Sequence, residues 1–227
     1  MAGRPAAFFD FDKTLLDRES SKLLIQYMKE RRQIFFNQQR VPLLYLLKLF
    51  VANEFYKRHR YSDEKMAILL LHFFKGRRLD IFEALGPDLY RNYLKPHLAP
   101  NILARLEDHR CRGDILVLIS AGLRYSLIPV IGDLGFDHLL CTELEIGPDG
   151  LLTGRPKGPV CIDVHKRDMA LKFAEEHRID LQSSAAYGNH HSDIPLLELV
   201  GYPVVVEPTE PLMRVAVQRQ WPVLSYQ

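Results

Sequence analysis

In FFDFDKTLLD, a short apolar run ends in two aspartates two residues apart, Asp10 and Asp12, with Thr14 two further on. Side chains i and i+2 share one face of a strand, so both carboxylates meet at one site if the strand continues; beyond its end the loop sets their directions. Two carboxylates that close repel unless a cation or a shared proton offsets them. Oxygen-only ligation suits a hard dication such as Mg²⁺. A second stretch, YGNHHSDIP from Tyr187 to Pro195, puts two histidines and an aspartate within four residues and looks like a transition-metal site. Adjacent side chains of an extended segment point to opposite sides, however, and the sequence predicts that His190 and His191 do not chelate one ion together.

The elements that must hold these residues follow from the apolar pattern. Short apolar runs at Ala6–Phe9, Ile115–Ser120, His138–Thr142, Ser184–Gly188 and Tyr202–Val206 read as five buried parallel strands. Helical spacing appears between them, in PNILARLEDHRCRG with Gly113 as a stop and in KRDMALKFAEEHR. The alternation predicts an α/β fold, a doubly wound (Rossmann-like), mainly parallel sheet whose chemistry collects at the carboxyl ends of the strands. Pro-Asp-Gly inside Glu145–Gly154 signals a hairpin. From Leu16 to Leu98 no strand-like run occurs, and SDEKMAILLLHFF, from Ser62, reads as a capped helix start. The expected division is a core of residues 1–15 and 99–227 with an all-helical cap inserted at 16–98.

The ordered set of motifs resembles the haloacid dehalogenase superfamily, in its phosphoserine phosphatase-like branch. D-x-D-x-T at Asp10 is similar to the first motif, LVLISAG with Ser120 to the second, Lys166 in VHKRDMAL to the third, and YGNHHSDIP to the fourth. The resemblance implies a phosphomonoester hydrolase working through an aspartyl-phosphate. Asp10 would be the nucleophile and Asp12 the general acid and base. Thr14, Ser120 and the backbone N–H groups of Ala121 and Gly122 would cradle the phosphoryl oxygens, with Lys166 offsetting charge. Mg²⁺ would be held by Asp10, Asp12, Asn189 and Asp193, the last through a water or by orienting Lys166. An amide at Asn189, where the family usually has an acid, removes one negative charge and predicts weaker metal binding than an aspartate would give. Taken singly, Thr14 and Ser120 read equally as turn hydroxyls, Asp12 as a helix cap and Lys166 as a solvated lysine.

The helical insertion carries the substrate question. Glu19 falls where that branch often has an acidic residue for a substrate amine, and it reads equally as a solvated helix-start residue. Arg58, Arg60, Arg77, Arg78 and Arg91 are candidates for a bidentate grip on a carboxylate. The LLYLLKLF and LLLHFF runs read as helix faces packed together, or as an apolar surface for a lipid-like substrate, membrane or partner. Phosphoserine is the first expectation, then a lipid phosphate of the phosphatidylglycerophosphate type, then histidinol phosphate or another small ester. A weakly catalytic module that binds anionic lipid or a partner is the competing class.

Bulk properties bound these readings. The 227 residues can bury a sizeable core without staples. Cys111, Cys141 and Cys161 form no CxxC pair; each reads as a buried small hydrophobe in a reducing compartment. The start MAGRPAAFFDF lacks a signal-peptide core, and the most apolar window, Val41–Phe55, is interrupted by Lys48, so the expectation is a cytoplasmic protein with no transmembrane segment and peripheral membrane contact left open. Residues 18–95 hold 16 Lys and Arg against 8 Asp and Glu, and the rest 14 against 20, which suggests an anion drawn to the junction or merely a solvated helical surface. No pattern of interleaved basic and aromatic residues points to nucleic acid.

Overall fold

A computed structural model describes residues 3–30, 51 and 62–226. Six parallel strands form the sheet: β1 (Ala6–Phe9), β2 (Ile115–Leu123), β3 (His138–Thr142), β6 (Ala185–Gly188), β7 (Tyr202–Val206) and β8 (Val223–Leu224). Their order is β3-β2-β1-β6-β7-β8, and every neighbouring pair is parallel. The chain winds outward from β1 in one direction and then from β6 in the other. The chain is thus a doubly wound α/β protein, and its winding reverses between β1 and β6, where such sheets open a crevice at their carboxyl ends.

β1 is a continuous apolar run because it is buried on both faces. Phe8 packs edge-on against Phe173 on one side, while Phe9 stacks on Tyr187 on the other, with centroids 4.4 Å apart. Both phenylalanines are fully buried; burial on this scale stabilises the strand by about 1.5–3 kcal/mol per side chain. Strand β1 is thereby a rigid stem for the residues that follow it.

Between β1 and β2 the described chain is helical: α1 (Ser20–Glu30), α2 (Asp63–Leu71) and α3 (Leu79–Leu89), joined to β2 by α4 (Pro100–Arg112). Ser62 caps α2 by accepting from Lys65 N, and Gly113, at φ 76°, ends α4. Where the insertion leaves and returns, Leu16 and Leu98 form an isolated antiparallel bridge, flanked by Asp17 N to His97 O and Ala99 N to Leu15 O, both 2.9 Å. The insertion also rests on the helix that follows β2, α5 (Arg124–Leu134): a β-carbon at Gly86 of α3 would lie 2.3 Å from the Tyr125 carbonyl oxygen.

The hairpin expected at Glu145–Gly154 is an antiparallel pair, β4 (Leu144–Ile146) with β5 (Leu152–Pro156). Beyond it come α6 (Asp163–His177), α7 (Ile194–Leu197) and α8 (Glu210–Arg219). Sequence reading did not mark α5, which carries Pro129 and Gly132, nor α8, nor the two-residue edge strand β8. Cys111 is exposed, contrary to the expectation of three buried thiols; Cys141 and Cys161 are buried, and all three are free. No helix among the described residues is long and apolar enough to cross a membrane.

Candidate active site

The residue after β1 is Asp10, whose backbone N–H extends the ladder by donating to Tyr187 O at 3.0 Å. Its carboxylate therefore emerges at the crevice between β1 and β6. Lys166 Nζ, from the first turn of α6, donates to Asp10 Oδ1 at 2.7 Å and to Asp193 Oδ1 at 2.6 Å. Thr14 Oγ1 donates to Asp10 Oδ2 at 3.1 Å. Asp193 Oδ2 accepts from the backbone N–H groups of Asn189 at 3.0 Å and His190 at 2.9 Å, closing the loop after β6. That fold-back needs Gly188: a β-carbon there would come 2.7 Å from Asp193 Cβ.

Burial governs the electrostatics. Asp10, Lys166 and Asp193 are 7%, 3% and 1% exposed, so their charges interact with little screening. Burial pushes the Asp10 pKa up to about 7 although Lys166 pulls it down, and Asp193 adds to the rise. For Lys166 burial works toward neutrality, but Asp10 and Asp193 overcome it and hold the ammonium charged. Burial alone would raise Asp193; Lys166 and the two backbone N–H groups bring it below the usual carboxylate range. One lysine thus serves two carboxylates, and the protein's own cations do not balance the cluster.

Asp12 lies in the irregular turn Phe11–Leu15, where Lys13 takes φ 52°. Its carboxylate is held by the first residue of α1: Ser20 N donates to Oδ1 and Ser20 Oγ donates to Oδ2 at 3.1 Å. Burial nonetheless raises its pKa, partly opposed by the Ser20 bonds. Sequence reading missed Ser20; its place at the start of an amphipathic helix was the available signal. Ser120 is 1% exposed, and its Oγ accepts from Gly122 N at 3.0 Å, shaping the end of β2 beside β1.

Asn189 donates through Nδ2 to Glu207 O at 2.7 Å, which fixes the orientation of the amide. Glu207 sits at φ 40°. Oxygen donors, carboxylates in excess of cations, and an anchored neutral amide together suit a hard dication.

The remaining expectations scatter. Glu19 pairs with Lys13 at 3.2 Å and Lys22 at 3.0 Å. Arg91 is exposed, Arg77 lies 3.9 Å over the Phe73 ring, and Arg78 pairs with Asp80. Arg58 and Arg60, like Val41–Phe55 apart from Val51, lie outside the described residues. A cavity of ≈ 170 Å³ opens beside Ala121 and Gly122, walled by Leu24, Leu70, Phe74 and Tyr125, and none of its described lining residues is charged. The two histidines overturn the expectation of opposite directions. Only His190 is extended; a tight turn begins at His191, and the rings lie 3.9 Å apart, both near Asp63.

The chain belongs to the haloacid dehalogenase-like hydrolase family, whose profile matches residues 7–198. It is similar to a histidinol-phosphatase of Neisseria meningitidis, 27% identical over 97% of this chain and 98% of that one. A phosphoserine phosphatase of Mycobacterium tuberculosis is 27% identical over 97% of this chain and 70% of its own length. The fold matches a crystal structure of a protein of unknown function from Bordetella pertussis, with TM-score 0.83, 24% identity and full coverage of both chains.

Proposed function

We propose that this phosphatase hydrolyses a phosphomonoester with the aid of Mg²⁺, through a phosphoryl group carried on Asp10. The observation that carries the reading is the buried lysine bridge from Asp10 to Asp193 at the carboxyl end of β1. Asp10 Oδ attacks phosphorus as the bond to the ester oxygen breaks, and Asp12 gives its proton to the departing alcohol. Asp12 then takes a proton from the water that attacks phosphorus, and the bond to Asp10 breaks to release phosphate. The raised pKa of Asp12 suits a group that must carry a proton before it donates one. Thr14, Ser120 and the N–H groups of Ala121 and Gly122 would receive the phosphoryl oxygens, and Lys166 would offset their charge. Asp10, Asp12, Asn189 and Asp193 would hold Mg²⁺, directly or through water. When bound, the ion supplies the positive charge that the carboxylates and an entering phosphate lack.

The reading divides the chain into a core of 1–15 and 99–227 and a cap of 16–98, and the Leu16–Leu98 bridge supports that division. Phosphoserine and histidinol phosphate both carry an amine, which Glu19 would meet only by leaving Lys13 and Lys22. The cavity beside Gly122, with no charged residue among its described lining, favours a second reading, an ester whose alcohol is apolar, as in a lipid phosphate. Purified protein with Mg²⁺ should release phosphate from a panel containing phosphoserine, histidinol phosphate and phosphatidylglycerophosphate, and Asp10→Asn should abolish release. No turnover of any ester, or turnover retained in Asp10→Asn, overturns the mechanism. Vesicle co-sedimentation without turnover would favour the lipid-binding class instead.

A further inference from the structure

Outside the carboxylate site, a second group of donors spans the junction of the helical insertion and the sheet. Asp63 opens α2, and its Oδ2 lies 3.4 Å from His191 Nε2 and 3.7 Å from His190 Nδ1. One ligand atom from each of the three lies within 4.8 Å of the others. The same turn of α2 makes another contact with the core, Glu64 Oε1 to His165 Nε2 at 3.4 Å.

The separations are those of an open ion pair, and they leave room for an ion. Hydrogen bonds between such groups close at about 2.7–3.2 Å, and these gaps exceed that. Ligands of a tetrahedral ion with bonds of about 2.0–2.1 Å stand roughly 3.3 Å apart, close to the gaps around Asp63. His190 Nδ1, the nitrogen that faces Asp63, lies 3.0 Å from Ser192 Oγ and 3.4 Å from Ser192 N, so an ion there takes the place of the serine as its partner. His191 is the more exposed of the pair, at 46% of its side chain, so an ion can enter from solvent.

We propose that Asp63, His190 and His191 form a binding site for a transition-metal dication of the zinc class, with the remaining position open to water. Two imidazoles and a carboxylate suit zinc, whereas the oxygen-only set around Asp10 suits magnesium. The ion ties α2 of the insertion to the loop after β6, so it acts as a clasp across the mouth of the crevice. The proposal requires no part of the phosphatase reading.

The test uses the full chain, stripped with chelator and then held in saturating Mg²⁺ without any phosphate ester. Zn²⁺ binding is read by calorimetry and Co²⁺ binding by its visible absorption. One equivalent is expected, with Co²⁺ bands of a nitrogen-ligated ion, and affinity weakened at least about tenfold in His191→Ala and in Asp63→Asn. Asp63→Asn keeps a residue suited to the start of a helix, and His191→Ala alters an exposed side chain, so both should fold; circular dichroism confirms it. Asp10→Asn should keep the equivalent. Absence of binding, equal binding in both histidine-site variants, or loss confined to Asp10→Asn overturns the site. Hydrogen exchange at 63–71 should slow on adding Zn²⁺ to wild type and not to His191→Ala; binding without that protection overturns the clasp.

Discussion

The crevice around Asp10 and the cavity lined by Ala121 and Gly122 are made of opposite materials. On one side Lys166 joins Asp10 to Asp193, and both oxygens of each carboxylate have a partner. On the other, Leu24, Leu70, Phe74 and Tyr125 offer shape and apolar contact, with no charged lining residue described. Under the proposed reaction the difference would separate two tasks: the phosphoryl group, the same in every ester, would be met by fixed charges, and the variable alcohol by the apolar surface that the insertion supplies.

The largest effect should come from breaking the charged side. Lys166→Met is expected to lower kcat/KM by about 10²–10³-fold. It should also destabilise the fold by about 3 kcal/mol, because two buried carboxylates lose their shared cation; kinetics and denaturant melts check both. An unchanged kcat/KM would mean that the bridge is only structural.

Leu70→Asp probes the apolar side, at a leucine that is already 45% exposed. For an ester with an apolar alcohol, KM should rise about tenfold, the worth of roughly 1.4 kcal/mol of lost contact. A small ester such as p-nitrophenyl phosphate should be nearly indifferent in kcat. If both esters respond alike, the two regions do not divide the work.

A smaller signal should appear in stability against pH. The folded-state pKa of Asp10 lies above its ordinary value of 3.8, at about 7, so the fold holds a proton that the unfolded chain releases. Metal-free protein should therefore lose stability as pH rises from 4 toward 7 and level off above. Mg²⁺ should flatten that decline, and so should Asp10→Asn, both followed by thermal melts from pH 5 to 8. A metal-free melting point that climbs over this window would contradict the raised pKa.

Asn189→Asp should give the smallest change, a several-fold drop in the Mg²⁺ concentration for half-activity. The added charge favours the ion, but the bond to Glu207 O is lost and two oxygens are left facing each other, a cost of about 1–3 kcal/mol in stability. Mg²⁺ dependence that is unchanged or weaker would show that the amide anchor matters more than the charge.

Much of this was legible because parallel strands announce themselves. The runs of β1, β2 and β6 are buried and those of β3 and β7 become so toward their carboxyl ends, and the ends of β1, β2 and β6 mark where Asp10, Ser120 and the Asn189 loop must lie. Lys166 was readable only through its resemblance to a motif; the structure supplies its two partners. Less visible were contacts that depend on how the insertion sits. The amphipathic helix that begins at Ser20 was a readable signal, but not that its first residue would hold the Asp12 carboxylate, and SDEK from Ser62 signals a helix start without saying that Asp63 will face two histidines. The histidine pair was misjudged because strand alternation was extended one residue too far, into the turn that begins at His191. Helix α5 was hidden by Pro129 and Gly132, and β8 by its length of two residues.

The close seat of Gly86 on the Tyr125 carbonyl has a consequence for anyone rebuilding this protein. Transplanting a different helical insertion between Leu16 and Leu98, to change which esters are accepted, would carry over a geometric toll at that seat. Whichever helix lands on the start of α5 must present a residue without a β-carbon there. Otherwise it will stand off by about an ångström, tilting the new insertion away from the end of β2.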